Sequence, residues 1–403
     1  MKNFLKLSDL SAEEIAEVAR AAGEPAWLIE RRVAAWNFFA AAIPPEWRRT
    51  DLSALHADTI VTPTAPQGTQ LLWDEQLAAQ GVVFTPLRAA LQSHAQLIEH
   101  HMDSAVLPLT HKFSALRAAL WQDGAFLYVP RNVATESVLR VRYTLTAGNH
   151  AIFPRTLVIL EANTHVTLIE EFVSADEAET RLAAPTSEIF CGPGSELHLV
   201  SLQRWGSNVY HLGGQKVVLD RDAGCEWTAI SLGAKVQHNE SETRLVGDGS
   251  HINWLGATFA DGQQRLLSAP CLRHVGANAE SYMEYKTVVN DEGYSIFDGM
   301  ILIEKGSRAT STRLEEHAIH LSKQARNDSI PGLKIDTNDV AKAGHASTSG
   351  EVDEEQLFYM RARGISRDDA LRMIVMGFFE QALATIPLEA LRDEVRVAIE
   401  AKI

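Results

Sequence analysis

The sequence predicts a mainly β fold, a parallel β-helix flanked by helical regions at both ends, and three observations carry that prediction. Between about residues 106 and 350 the pattern shortens to runs of β-branched and aliphatic residues: Leu157 to Leu160, Val166 to Ile169, Leu197 to Leu202, Lys216 to Leu219 and Trp227 to Leu232. Turn residues recur between the runs. With Asn163, Gly194, Gly224, Gly249, Asn278, Gly306 and Asn338 as markers, the steps are 31, 30, 25, 29, 28 and 32 residues. No helical stretch long enough for a βαβ crossover separates the units, which argues against a doubly wound sheet. A β-sandwich is the other all-β solution. Repetition with a turn in each unit favours stacked coils, each burying its neighbour's face.

Three zones follow: a helical region over residues 1–105, the β zone over 106–350 and a helical region over 351–403. In the first, Ser11-Ala12-Glu13-Glu14 is a capping-box pattern, and Ile15, Val18, Ala19 and Ala22 follow at helical spacing until Gly23. A second helix is predicted from Pro25 to Ala42, with Leu28, Ile29, Val33, Trp36 and Phe39 on one stripe and Pro44-Pro45 beyond its end. Residues 50 to 75 read as an exposed connection, and helical spacing returns from Pro86 through His101. In the last zone Asp353 is an N-cap, Gly364 a C-terminal stop and Ser366 a second N-cap, with Asp368-Asp369 in the favoured first turn. That second helix carries Leu371, Met373, Ile374, Val375, Met376, Phe378, Phe379 and Leu383, which must dock on the β zone or receive a partner.

Composition narrows the function classes. The 403 residues hold 37 Lys+Arg against 52 Asp+Glu, a net charge of −15, with 46% hydrophobic residues. That apolar content is enough to offset the entropy of ordering, so disorder is excluded as the dominant state. The acidity disfavours nucleic acid and anionic lipid as partners. No apolar run has membrane-spanning length, no signal-peptide core follows Met1, and Cys191, Cys225 and Cys271 are far apart. Reduced thiols in a cytoplasmic protein are the expectation.

The familiar reaction motifs are missing. There is no GxxxxGK[ST] loop, no GxGxxG opening a helix, no GxSxG and no HExxH. Asp220/Asp222 and Glu315/Glu316 could be recruited as the carboxylate pairs of a carbohydrate-active β-helix enzyme, but they read more simply as turn residues and a solvated charge run. His317 and His320 lie in a strand-like stretch, where a three-residue step turns them to opposite faces and argues against a metal clip. His345 sits among the small residues of Ala343-Gly344-His345-Ala346-Ser347, where it is either a turn histidine or an imidazole ligand open to an ion.

The last stretches carry a family resemblance. Asp339-Val340, Ala343 to Ser347 and the run Val352-Asp353-Glu354-Glu355-Gln356-Leu357-Phe358-Tyr359-Met360-Arg361-Ala362-Arg363-Gly364-Ile365 resemble the C-terminal signature of the SufB/SufD family of iron–sulfur cluster assembly proteins. Gly23 to Arg32, Trp47 to Leu52, Asp298-Gly299 and Pro331 to Asp336 are similar to its other regions, so the resemblance spans the chain. Gln324 to Asp328 holds no cysteine where the SufB type carries one, so the chain resembles the SufD type. The resemblance implies a right-handed parallel β-helix, a scaffold without enzymatic turnover and a heterodimer with a SufB-like subunit. It implies a SufC-like ABC ATPase docked on the C-terminal helices through Met373, Met376, Phe378 and Phe379. It also places His345 at the SufB–SufD interface as a tentative ligand for transient iron or a nascent cluster, with no stably bound cofactor. Ala343 stands where some relatives have cysteine, and Val340 to Gly344 is one residue longer than their pattern. A homodimeric or SufB-like scaffold is the alternative, and a homodimer in isolation is compatible with either.

Overall fold

The computed structural model describes residues 4–55, 61–63, 68–122, 124–146 and 150–403. Its centre is a parallel β-solenoid with two sheet faces. One face stacks, in order, Ala134–Leu145, His165–Ser174, Glu196–Arg204, Gly224–Ser231, His251–Ala260, Glu280–Val289, Thr310–His320 and Val340–Glu351, every neighbouring pair parallel. The other stacks Gly124–Val129, Arg155–Leu160, Thr186–Cys191, Val209–Leu219, Val236–Leu245 and Arg265–His274. It continues through Tyr294–Phe297 with Met300–Ile303 and ends on Arg326–Ser329 with Gly332–Ile335. All the predicted strand runs fall inside or at the end of these strands.

One corner of the coil explains the repeat. Asn132, Asn163, Gly194, Asp222, Gly249, Asn278 and Ala309 all take positive φ, between 52° and 73°. Each donates its N–H to a carbonyl of the next coil, from Asn132 to Ala162 through Ala309 to Asp339. Asn, Asp and Gly tolerate the left-handed region best, which is why these types mark the corner. Three of the sequence markers, Gly224, Gly306 and Asn338, sit beside the corner instead of on it. The left-handed residue near Gly224 is Asp222, and the one near Gly306 is Ala309. Gly249 has a second reason to lack a side chain, since a Cβ there would come within 2.4 Å of Asp222 Oδ1.

Much of the lumen is apolar, filled by inward residues such as Leu168, Leu199, Leu219, Leu245 and Leu272 and by Trp227 stacked on Trp254 at 4.1 Å, with a buried polar group of Glu170, Ser187, Ser201 and Gln215 bonded among themselves. Helices cover both outer faces. At the N-terminal side α1 (Ala12–Ala21), α2 (Ala26–Ala41), α3 (Leu87–Ser93), α4 (Ala95–His101) and α5 (Lys112–Leu120) bury Trp36, Phe39, Phe113 and Leu116 against Phe126, Leu157 and Leu212. The Ser11 capping box forms as the sequence predicts. The α2 stripe is less apolar than predicted, because Arg32 is buried on it, paired with Glu24 at 2.6 Å and lying over Trp121. At the C-terminal side α6 (Glu354–Ala362), α7 (Arg367–Ala384) and α8 (Glu389–Glu400) begin at Asp353, Ser366 and Leu388, and the first two carry side-chain caps. Val375, Phe379, Leu383, Leu391 and Val395 of α7 and α8 bury Val200, Ile230, Phe259 and Val288 on the sheet's outer face.

The position 105/106 lies in the connection between α4 and α5, so the helical segment runs on to Leu120 and the first coil strand begins at Gly124. The stretch read as a connection also contains two strands, Val61–Pro63 and Thr69–Leu72, while residues 56–60 and 64–67 of it lie outside the described residues. Thr69–Leu72 and Val83–Pro86 pair antiparallel with the first coil. Antiparallel strands therefore close one end of the solenoid.

A surface network on the second face gives the fold a pH dependence. Burial opposes ionisation of Glu242, but hydrogen bonds from Arg244 at 2.7 Å and Lys216 at 2.6 Å outweigh it and push the carboxyl down to about 2. A depressed carboxyl contributes stability that is present above its ordinary value of 4.5 and lost as pH falls through the folded value. Glu242→Gln is expected to flatten the acid side of the stability profile between those limits. Thermal midpoints measured across the range, with parallel curves for variant and parent, would exclude this pairing as the cause.

Candidate functional site at the open end of the solenoid

The opposite end of the solenoid has no such cover. Among the described residues, Val340–Glu351 pairs only with Thr310–His320, and the last strands of the second face, Arg326–Ser329 and Gly332–Ile335, pair only with the coil before them. A 12-residue edge strand without proline and with lysine only at Lys342 is a template for another chain's strand. The strand begins with a bulge: Thr310 pairs with Val340 and Ser311 with Lys342, leaving Ala341 unpaired.

Register places the side chains. In Thr310–His320, Thr312, Leu314, Glu316 and Ala318 are buried, so their partners Ala343, His345, Ser347 and Ser349 lie on the same, lumen side. His345 is nevertheless exposed, because among the described residues no further strand stacks on Val340–Glu351 to cover it. A Cβ built on Gly344 would meet nothing within 4 Å, so the imidazole is not crowded by its neighbour. Two positions on, Ser347 donates its hydroxyl to Glu316 Oε2 at 3.1 Å, and Asn327 Nδ2 donates to Oε1 at 3.1 Å. Glu316 thus ties both faces of the terminal coil together from inside. Burial raises its carboxyl above the ordinary value, against the hydrogen bonds that favour the ionised form.

Reading Glu315/Glu316 as a solvated charge run fails at Glu316, whose residue is 0% exposed. Period-two alternation through Leu314 was the available signal, and it turns adjacent carboxylates to opposite faces. Asp222 is a turn residue as predicted. His317 and His320 lie on one strand and bond separately to Thr348 and Ser349, at 2.7 and 2.9 Å.

The apolar stripe proposed for ATPase docking divides. Met373 is 57% exposed, while Met376 and Phe378 are partly buried against the helix–sheet core. Phe379 is 0% exposed, with its ring 6.3 Å from that of Phe259. It corrects the sequence reading, because a side chain inside the chain's own core makes no contact with a partner. Phe358, 73% exposed, and Tyr359 on the adjoining α6 supply apolar surface that sequence reasoning left unassigned. Their signal was position: Leu357 takes the inward place on α6, which turns its two neighbours outward.

Two family models match the chain. The SufBD protein N-terminal region covers residues 46–141, and the SufBD core domain of the SUF system for FeS cluster assembly covers residues 143–378. The chain belongs to the SufB/SufD family. It is similar to the iron-sulfur cluster assembly protein SufD of Bacillus subtilis, 30% identical over 82% of this chain and 76% of that protein. It is also similar to SufB of the same organism and to a SufBD family protein of Staphylococcus epidermidis. Each is 26% identical, over 94% of this chain and 90% of the relative. Within the SufB/SufD family the chain is SufD-like.

For a SufD-like chain the thiols are placed unhelpfully for ligation. Cys191 and Cys225 are buried in the lumen and Cys271 is half-buried on another coil. Desolvation pushes Cys191 and Cys271 up to about 12 and Cys225 well above its usual value, so the thiolate form that binds metal is disfavoured at all three. Among the described residues no three His, Cys, Asp or Glu side chains form a metal-holding group. Among the described residues no helix is long and apolar enough to cross a membrane.

Proposed function

We propose that this chain is a SufD-like scaffold subunit of iron–sulfur cluster assembly that pairs with a SufB-like subunit across the open end of its solenoid. The unpaired edge strand carrying His345 is the observation behind this reading. Strand addition there would extend the sheet of one subunit into the other through main-chain hydrogen bonds. It would also cover the exposed lumen residues and bring His345 to the seam. A neutral imidazole suits iron, and the three raised thiols leave His345 as the ligand this subunit offers to transient iron or a nascent cluster, which is cargo and not a resident cofactor. A SufC-like ABC ATPase would dock on the outward surface of α6 and α7, through Met373, Phe358 and Tyr359, with Met376 and Phe378 at the margin. The scaffold role assigns no covalent turnover to this chain, and the cytoplasm is its expected compartment.

Co-expression with the SufB-like and SufC-like proteins tests both surfaces. His345→Ala is expected to leave the complex intact and to abolish activity of an iron–sulfur enzyme in a strain that depends on the pathway. Normal enzyme activity with intact complex would remove the ligand role. Loss of the complex would make His345 a structural residue of the interface and remove the ligand role. Met373→Asp is expected to reduce ATPase recovery in a pull-down while the SufB-like subunit stays bound, since a carboxylate in an apolar contact is strongly penalised. Equal ATPase recovery would take Met373 out of the interface.

A further inference from the structure

On the outer surface of the second sheet four guanidinium groups, those of Arg48, Arg49, Arg265 and Arg326, meet. The connection after α2 is strapped onto the solenoid: Trp47 stacks on His238 at 3.7 Å, and Thr50 Oγ1 hydrogen-bonds His238 Nδ1 at 2.7 Å. This fixes Arg48 and Arg49 beside Arg265 of one coil, Tyr294 of the next and Arg326 of the last, around an open cleft of about 640 Å³. Asp328 is the hub of one side. It accepts from Arg49 Nε at 3.1 Å, from Arg326 at 2.9 and 3.0 Å and from the Tyr294 hydroxyl at 2.5 Å. Asp51 approaches Arg265 only to 3.9 Å, and Arg48 has no acidic partner among the described residues.

The local charge is opposite to that of the chain. Four arginines against Asp51 and Asp328 leave 4 − 2 = +2 in the cleft, on a chain of net charge −15. Cations held together repel, and here the two carboxylates compensate only part of that repulsion. Guanidinium forks match tetrahedral oxyanions in paired hydrogen bonds, and a cleft lined by one sign of charge in excess concentrates an anion. A monovalent ion would leave charge uncompensated, whereas a di- or trianion would neutralise it. The cleft also exceeds the space a single halide needs.

We propose that this cleft is a binding site for a phosphate-type polyanion, of the pyrophosphate class, either free or carried on a nucleotide. Arg48 and Arg265 are the principal ligands. Arg49 and Arg326 are held in place by Asp328, and Tyr294 supports Asp328. The cleft shares the terminal coil with the strand Val340–Glu351 through Arg326 and Asp328, but its ligands do not include His345.

Isothermal titration of the full chain at low ionic strength, with inorganic pyrophosphate as probe, tests the proposal. Saturable one-site binding is expected, weakened about tenfold or more by Arg48→Ala and again by Arg265→Ala. Neither arginine holds the Asp328 hub, so circular dichroism and thermal midpoints should match the parent and separate lost binding from lost folding. An ADP arm identifies the source. Binding tighter than pyrophosphate assigns a nucleotide, and equal or weaker binding assigns a free phosphate, both within the proposal. The site is overturned if the parent shows no saturable binding, or if folded variants bind as the parent does. It is also overturned if a polyglutamate peptide binds and pyrophosphate fails to displace it, which would make the cleft a protein-docking surface.

Discussion

Phe379→Asp is expected to release the C-terminal helices from the solenoid. The ring is 0% exposed, packed in the cluster that joins Val375, Leu383 and Val395 to Val200, Ile230 and Phe259. Removing a core phenylalanine costs about 3–5 kcal/mol, and a carboxylate left in the cavity adds the penalty of a buried, unpaired charge. The solenoid has its own core in the lumen, which this substitution does not touch. Limited proteolysis should therefore cut within residues 352–403 at once while the coil remains resistant, and ATPase recovery should fall as a consequence. An equally resistant C-terminal segment would show that the α7–sheet contact is dispensable. Met373→Asp, at an exposed position on the same helix, is the control that alters the surface without opening the core.

Glu188→Ala is expected to be the most damaging change at the N-terminal side. Glu188 is 0% exposed and bonds Arg155 at 2.6 Å, while its carboxylate also accepts the backbone N–H groups of Asp103, Ala105 and Val106 at 2.9 to 3.0 Å. Asp103, itself in the left-handed region with φ 65°, is the second carboxylate partner of Arg155, at 2.5 Å. Truncation would leave a buried guanidinium with one partner and three amides without an acceptor. Breaking a buried pair by removing one member costs about 3–5 kcal/mol, before the orphaned amides are counted. The expected result is a large drop in the denaturant midpoint and early cleavage near residue 103. Glu188→Gln should lie between variant and parent, since it keeps an acceptor and loses the charge. A midpoint for Glu188→Ala within experimental error of the parent would mean that the loop is held by other contacts.

What was legible in the sequence was what a short window can enforce. Asn163, Gly194, Gly249 and Asn278 take left-handed backbone because few residue types tolerate it, so the coil repeat could be read before any contact was known. Ser11, Asp353 and Ser366 cap helices by bonds to amides two or three residues away. The signature around His345 and the Asp353 helix placed the chain in its family, since that pattern too is contiguous.

Whether a side chain faces core, solvent or cleft was decided elsewhere. Phe379 and Met373 are six residues apart on one helix, yet one is buried and the other exposed, because the outer face of a distant sheet covers only one side of α7. Glu315 and Glu316 are adjacent and opposite in fate, since the coil turns one outward to Arg313 and Tyr282 and the other inward to Ser347 and Asn327. Arg49 meets Asp328 across 279 residues, and no local rule specifies that pairing. The sequence by itself determined the coil, the caps and the family. Only the tertiary structure decided which end of the solenoid stays open, which apolar residues are surface and where the arginines converge, because burial and long-range charge depend on elements that meet only when the chain is stacked.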